Sequence, residues 1–275
     1  MSPEDLSTKA EASPTEEREK IKGVFSTQEV RKVGTGTTTR KSIQKAYWFA
    51  DEDNSGQIIT VQPLNSNYVP SGPKRDVPKE DFLTKFSPEM EFYMQTVFPR
   101  MREVTKNVAR GDRHRQRKEY YSAEFEYGNA LKLDEENVRA NFGLGLTYLE
   151  RGQTEKAGDV FNRLVKLDAA FQEEHKHLFN EFGINLRKNN MLQESIEYYN
   201  KALELSQQDE NLYCNMARAY FDAKKYGEAV ENLLKALEMN SGHEVALKFL
   251  TWMLDKDLVP ANQAAAAKAA LAANL

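Results

Sequence analysis

The stretch NLYCNMARAYFDAKKYGEAVENLLKALEMNS, residues 211–241, carries two short amphipathic helical patterns back to back, with a break at Ala223-Lys224-Lys225. Tyr213, Met216, Ala217 and Tyr220 mark one face of a first helix, and Ala229, Leu233 and Ala236 mark one face of a second, at three- and four-residue intervals. Each apolar stripe needs a partner, so the two helices must pack. A shift of 34 residues toward the amino terminus gives Phe179, Phe182, Gly183 and Leu186, then Ser195, Tyr199 and Ala202. A further shift, after four extra residues, gives Leu144, Gly145 and Tyr148, then Ala157, Phe161 and Leu164. The helix pair is therefore an internal repeat.

These residues resemble the tetratricopeptide repeat, a unit of about 34 residues with a large residue, Leu-Gly, Tyr, then Ala, Phe and Pro at fixed offsets. Gly145, Gly183 and Ala217 stand where the two helices of a unit approach most closely, and Ala157, Ser195 and Ala229 face them from the second helix. The sequence departs from the pattern at the closing proline, where Ala169, Gln207 and Ser241 stand, and at Asn141, which replaces the first large residue. A further second helix, with Ala123, Tyr127 and Ala130, precedes the full repeats, and its partner over Val104 to Gly111 reads as degenerate. Leu247, Leu250, Thr251 and Leu254 give another first helix after Ser241. Beyond Val259-Pro260 the alanine-dominated tail has high helix propensity and little bulk, which fits a capping helix of a repeat stack.

The 275 residues hold 38 basic and 42 acidic side chains, a near balance that gives no global nucleic-acid signature. A single cysteine, Cys214, excludes an internal disulfide and a cysteine-rich metal site. The amino terminus is acidic and polar where a secretory signal would be basic and then apolar, and no stretch approaches a membrane span. The chain is expected to be cytoplasmic, with no nucleic-acid or membrane partner and no cofactor. Its one concentrated basic cluster, Arg110 to Lys118, reads as a solvated loop between helices rather than a docking patch.

The first third reads differently. Residues 1–22 form a charged segment too poor in apolar groups to order itself. Val24, Phe25, Val30, Val33, Tyr47-Trp48-Phe49 and Ile58 to Val61 are strand language, with a hairpin through Asn54-Ser55-Gly56 and an end at Pro63. Asp51, Asp53, Ser55 and Gly56 also match the start of a calcium-binding loop, but Gln62 stands where that loop needs a bidentate carboxylate, so a plain turn is the reading and a calcium-responsive regulator the alternative. Gly34 to Lys41 has glycines, hydroxyls and cations without phosphate-loop spacing, and reads as a loop. A proline-rich connector follows, and Ser87-Pro88-Glu89 reads as a helix start, with Pro99 kinking or dividing the helix.

The resulting expectation is a mainly α, tetratricopeptide-type α-solenoid of three full repeats with degenerate flanking repeats. Its divisions are a disordered tail at 1–22, a small β-containing module and connector at 23–78, the repeat domain at 79–257 and the capping helix at 258–275. His114, His175, His177 and His243 form no ligand set and the carboxylates are dispersed, so the chain reads as non-catalytic. The resemblance implies a groove along the first helices that takes a partner peptide or helix. By position that groove includes Arg139, Phe142, Leu146, Asn180, Glu181, Arg187, Cys214, Asn215, Arg218, Phe221, Lys248, Phe249 and Trp252. The carboxylate clamp that some family members carry is absent, since Phe142, Leu146, Glu181, Asn211 and Asn215 occupy its positions.

Overall fold

The computed structural model describes residues 20–33, 40–167, 170, 175–205 and 209–273. Most of the acidic tail, the Gly34 to Thr39 run that the sequence reads as a loop, and Ala169 and Gln207 lie outside them. The chain divides into two compact units, residues 1–63 with 74–93, and residues 64–73 with 94–275.

The first unit is a five-stranded antiparallel sheet in the order β4-β3-β2-β1-β5. Its strands are β1 (Lys22–Val33), β2 (Arg40–Glu52), β3 (Ile58–Pro63), β4 (Arg75–Pro78) and β5 (Ser87–Pro88). Alternation sends Trp48, Ala50 and Glu52 to one face with Ile59 and Val61, and helix α1 (Lys79–Lys85) covers that face with Phe82. Phe82 stacks on Phe86 at 4.6 Å and meets Phe25 edge-on at 4.8 Å. Glu52, buried beside this core, accepts from Lys79 Nζ at 2.6 Å and from the Ile21 amide at 2.8 Å, so its charge is both paired and hydrogen-bonded. On the opposite face Tyr47 and Phe49 meet Phe92 and Tyr93, ring centroids 4.8 and 6.2 Å apart; Phe92 ends the short helix α2 (Met90–Phe92).

Two expectations change here. Ser87-Pro88 does not start a helix: the extended conformation favoured before proline lets the pair join β1 opposite Phe25 and Ser26, and the Glu89 amide donates to the Val24 carbonyl at 2.8 Å. Residues 79–93, assigned to the repeat domain, thus belong with the sheet. Pro99 marks a division of the helix, as expected: a π-helical turn over Tyr93–Val97 precedes it, and it sits in the first turn of α3 (Phe98–Gln116).

The second unit is a stack of helix pairs: α3 with α4 (Tyr120–Leu133), α5 (Val138–Glu150) with α6 (Thr154–Leu164), α7 (Lys176–Lys188) with α8 (Leu192–Leu205), and α9 (Glu210–Asp222) with α10 (Tyr226–Met239). Helix α11 (Glu244–Asp255) follows, and α12 (Ala264–Ala272) packs on α10 and α11 with Ala267 fully buried. Each first helix ends in the same turn. Lys118, Gly152, Asn190, Lys224 and Asp257 have φ of 61°, 69°, 60°, 60° and 55°, and the following amide reaches five residues back, as from Lys225 to the Tyr220 carbonyl at 2.9 Å. This left-handed closure satisfies orphan carbonyls of the helix end and reverses the chain.

The pair α3/α4 is a full member of the stack. Helix α3 runs on through Gln116, so most of the Arg110 to Lys118 cluster is helical rather than a loop. Gly111 occupies the close-approach position shared with Gly145 and Gly183. A methyl group at Gly111 would lie 2.6 Å from a ring carbon of Tyr127, and one at Gly143 closer still, so the buried ring is wedged between two backbones. Gly183 makes room in the same way for Tyr199, 2.6 Å from such a methyl. The expected contact of Gly183 with Ser195 is instead a hydrogen bond, the Ser195 hydroxyl donating to the Gly183 carbonyl at 3.0 Å. Ala157, Ser195, Ala217 and Ala229 are all fully buried.

The proline-rich connector is also more than a spacer. Residues 64–73 strap onto the end of α4: Asn65 and Asn67 side-chain amides donate to the Leu133 carbonyl at 2.8 Å and the Lys132 carbonyl at 3.0 Å, Ser71 Oγ donates to Asp134 at 2.7 Å, and Val69 enters the core. These donors occupy carbonyls that a helix end otherwise leaves to water.

Candidate functional site

Val245, Lys248, Phe249 and Trp252 follow one another at i, i+3, i+4 and i+7 and so form one stripe along α11. Facing them are Arg218, Phe221 and Asp222 from the end of α9 and Arg187 from the last turn of α7; together they line an open groove of about 580 Å³. Its floor is aromatic, with the Phe221 ring 5.3 Å from Phe249 and 5.4 Å from Trp252, both edge-on, and Trp252 is 43% exposed. Its rim is cationic. Arg187 is tied to Asp222, Lys248 pairs with Glu244 at 2.9 Å in solvent, and Arg218 makes no ion pair among the described residues. Burial pushes the neighbouring Tyr199 hydroxyl and Cys214 thiol pKa values up, against the pull of the Arg218 charge. Cys214 is therefore held as a neutral thiol.

Arg187, Arg218, Phe221, Lys248, Phe249 and Trp252 are thus brought together. Others of the expected groove are elsewhere. Arg139 donates to Asp112 on α3 at 2.8 Å, and that carboxylate also accepts from the Tyr127 hydroxyl at 2.8 Å. Asn180 and Asn215 are half-buried and outside the groove lining, and among the described residues Asn180 Oδ1 has no hydrogen-bond partner. Phe142, Leu146 and Cys214 are buried, which corrects their placement in the groove; Phe142 meets Phe182 at 5.7 Å, because its position points at the next first helix rather than at solvent. Asp222 and Val245 were missed, although the stripe spacing of α11 and the i, i+4 relation of Asp222 to Arg218 were available in the sequence.

Near the amino-terminal end the same helix face is closed. Arg115 reaches Glu150 at 2.9 Å and Glu181 at 3.0 Å, joining α3, α5 and α7 through one guanidinium that is 18% exposed. On the outer side, Tyr121 and Phe125 of α4 are 77% and 65% exposed, where the equivalent residues of later second helices are Glu155, Gln193 and Gly227, and Asp159, Glu197 and Glu231.

Family models described as tetratricopeptide repeat match residues 108–170, 178–209 and 210–243. These matched residues are tetratricopeptide repeats. The first match begins inside α3, in accord with Gly111 as a true repeat position. Curated relatives include the peroxisomal targeting signal receptors of Kluyveromyces lactis, 28% identical over 69% of this chain, and of Eremothecium gossypii, 25% identical over 56%. The chain spans 32% and 26% of those proteins. Among solved structures, MamA protein aligns at 20% identity and a TM-score of 0.46 over 62% of this chain and 90% of its own, and Pseudomonas aeruginosa pilF at 18% and 0.44 over 58% and 71%.

Outside the repeats, the segment compared with a calcium loop is the end of β2, a turn and most of β3. Asp51 pairs with Lys22 at 2.7 Å; Asp53 accepts from Ser55 Oγ at 2.6 Å and from the Ile58 amide at 3.3 Å, and the Ser55 bond holds its carboxyl below the usual range. Gln62 lies on β3 opposite Phe49. Among the described residues no group of three or more His, Cys, Asp or Glu side chains could hold a metal ion, and no helix is long and apolar enough to cross a membrane.

Proposed function

We propose that this chain is a non-catalytic cytoplasmic adaptor that holds a segment of a partner protein in the groove between α9 and α11. The observation that carries this reading is an exposed aromatic trough under a cationic rim, built on a repeat whose stacked first helices present one continuous surface. Exposed aromatic groups beside arginine are the side chains that anchor protein interfaces, since the rings gain burial while charges fix register. The name of the yeast relatives, a receptor for a targeting signal, is consistent with recognition of a short segment.

The test is capture from native lysate by the full chain, by Arg218→Glu, and by Glu231→Lys on the outer face of α10. Both substitutions lie on the surface and should leave the fold intact. Partners kept by Glu231→Lys and lost by Arg218→Glu support the groove. Equal recovery by both variants would move the interaction elsewhere, for instance to Tyr121 and Phe125.

A further inference from the structure

The two ends of the array contain the same arginine staple, and they differ at two positions around it. Arg115 and Arg187 occupy equivalent positions two repeats apart, as do Glu150 and Asp222, and each arginine bonds the acid 35 residues further on. Continuing the correspondence by another repeat, Glu181 becomes Phe249, and Leu146 becomes Arg218. The first staple therefore holds one cation and two carboxylates, Arg115 with Glu150 and Glu181. The second holds two cations, Arg187 and Arg218, one carboxylate, Asp222, and an aromatic ring where the other carboxylate would be.

We infer that the groove takes a peptide segment with a carboxylate next to a large apolar or aromatic side chain, the carboxylate joining Arg187 and Arg218 while the apolar group lies on Phe221, Phe249 and Trp252. This rests on the groove reading above and adds the chemistry of the occupant. The closed staple shows what one arginine accepts at this position of the fold: a second carboxylate at 3.0 Å. Asp222 is then an internal competitor. It keeps Arg187 oriented without a partner, and it repels an incoming acid until that acid shares the guanidinium. Arg218 has no such internal mate among the described residues, so a partner carboxylate there meets an unmatched charge rather than displacing one.

Panning a random twelve-residue peptide display library against the intact protein tests this without a known partner. Peptides released by Trp252→Ala should share an acidic residue beside Phe, Trp, Tyr, Leu or Ile. For a synthetic peptide from that set, exchanging the acid for its amide should weaken binding about tenfold, one ion-pair's worth of affinity. Asp222→Asn should tighten the acidic peptide about threefold to tenfold and leave the amide peptide unchanged. Phe249→Glu, which restores the second carboxylate, should release the acidic peptide; thermal melting identifies an unfolded variant, and Asp222→Asn still decides the matter if that happens. Groove-dependent peptides that bind equally as acid and amide, or a basic consensus, would overturn the inference while leaving the groove as a docking site. Recovery of no peptide sensitive to Trp252→Ala would remove the groove reading itself, and the inference with it.

Discussion

At its amino-terminal end the helical array places Arg115 between Glu150 and Glu181, whereas at its carboxy-terminal end the equivalent Arg187 meets Asp222 beside Phe249 and Trp252. The backbone frame is common to both: Gly111 and Gly143 admit Tyr127, Gly183 admits Tyr199, and a left-handed residue closes each first helix. A repeat thus fixes the scaffold by small residues and turns, and it leaves the exposed positions of the first helix free to close one end with ions and open the other with rings.

The largest expected effect tests the shared frame. Gly183→Leu would drive a side chain into the buried Tyr199 ring and should cost about 3 kcal/mol in urea unfolding, with both ends of the array affected because repeats lean on their neighbours. An unchanged midpoint would contradict the packing on which the comparison stands. The two arginines come next. Arg115→Met leaves two carboxylates on two helices unmatched and should destabilise by about 1 to 2 kcal/mol, while Arg187→Met, which frees the single acid Asp222, should stay below about 1 kcal/mol. Equal losses would show that the two staples are energetically alike.

Acid provides a smaller, graded test. Burial works against the charged form of Glu124 on α4, but hydrogen bonds from Arg151 and Tyr148 hold its carboxyl below the usual range, and the same contact with burial pushes the Tyr148 hydroxyl up to about 12. A carboxyl with a lowered folded pKa adds stability above its unfolded value, about 4.3, and that stability is lost as pH falls through the folded value. The equivalent residues on α8 and α10 are Ile196 and Val230. Hydrogen exchange followed from pH 6 downward should therefore show α4 losing protection before α10, and Glu124→Gln should remove the difference. The smallest stability effect belongs to Trp252→Ala, within about 1 kcal/mol for a half-exposed ring, although peptide capture should be lost. A large loss of stability would mean that Trp252 is core, with the open end less open than its rings imply.

The helical fold was legible because a repeat writes its contacts at short range. Tyr213, Ala217, Ala229 and Leu233 lie within one unit, so their periodicity states both the helices and the face that packs, and the small positions at Gly145, Gly183 and Ala217 follow from the offsets alone. The same offsets brought Arg187, Arg218, Phe221, Lys248 and Trp252 onto one surface. They did not separate exposed positions from those that point at the next helix, which is why Phe142, Leu146 and Cys214 were counted with the groove. What tertiary structure decided are the contacts between residues far apart in the chain: Phe25 with Pro88 in the sheet, Asn65 with the Leu133 carbonyl in the strap, and Arg115 with Glu181 in the closed staple. No local preference specifies these. Ser87-Pro88 is an acceptable helix start by its residue types, and it becomes a strand because the exposed edge of β1 supplies hydrogen-bond partners that exist only once the sheet has formed.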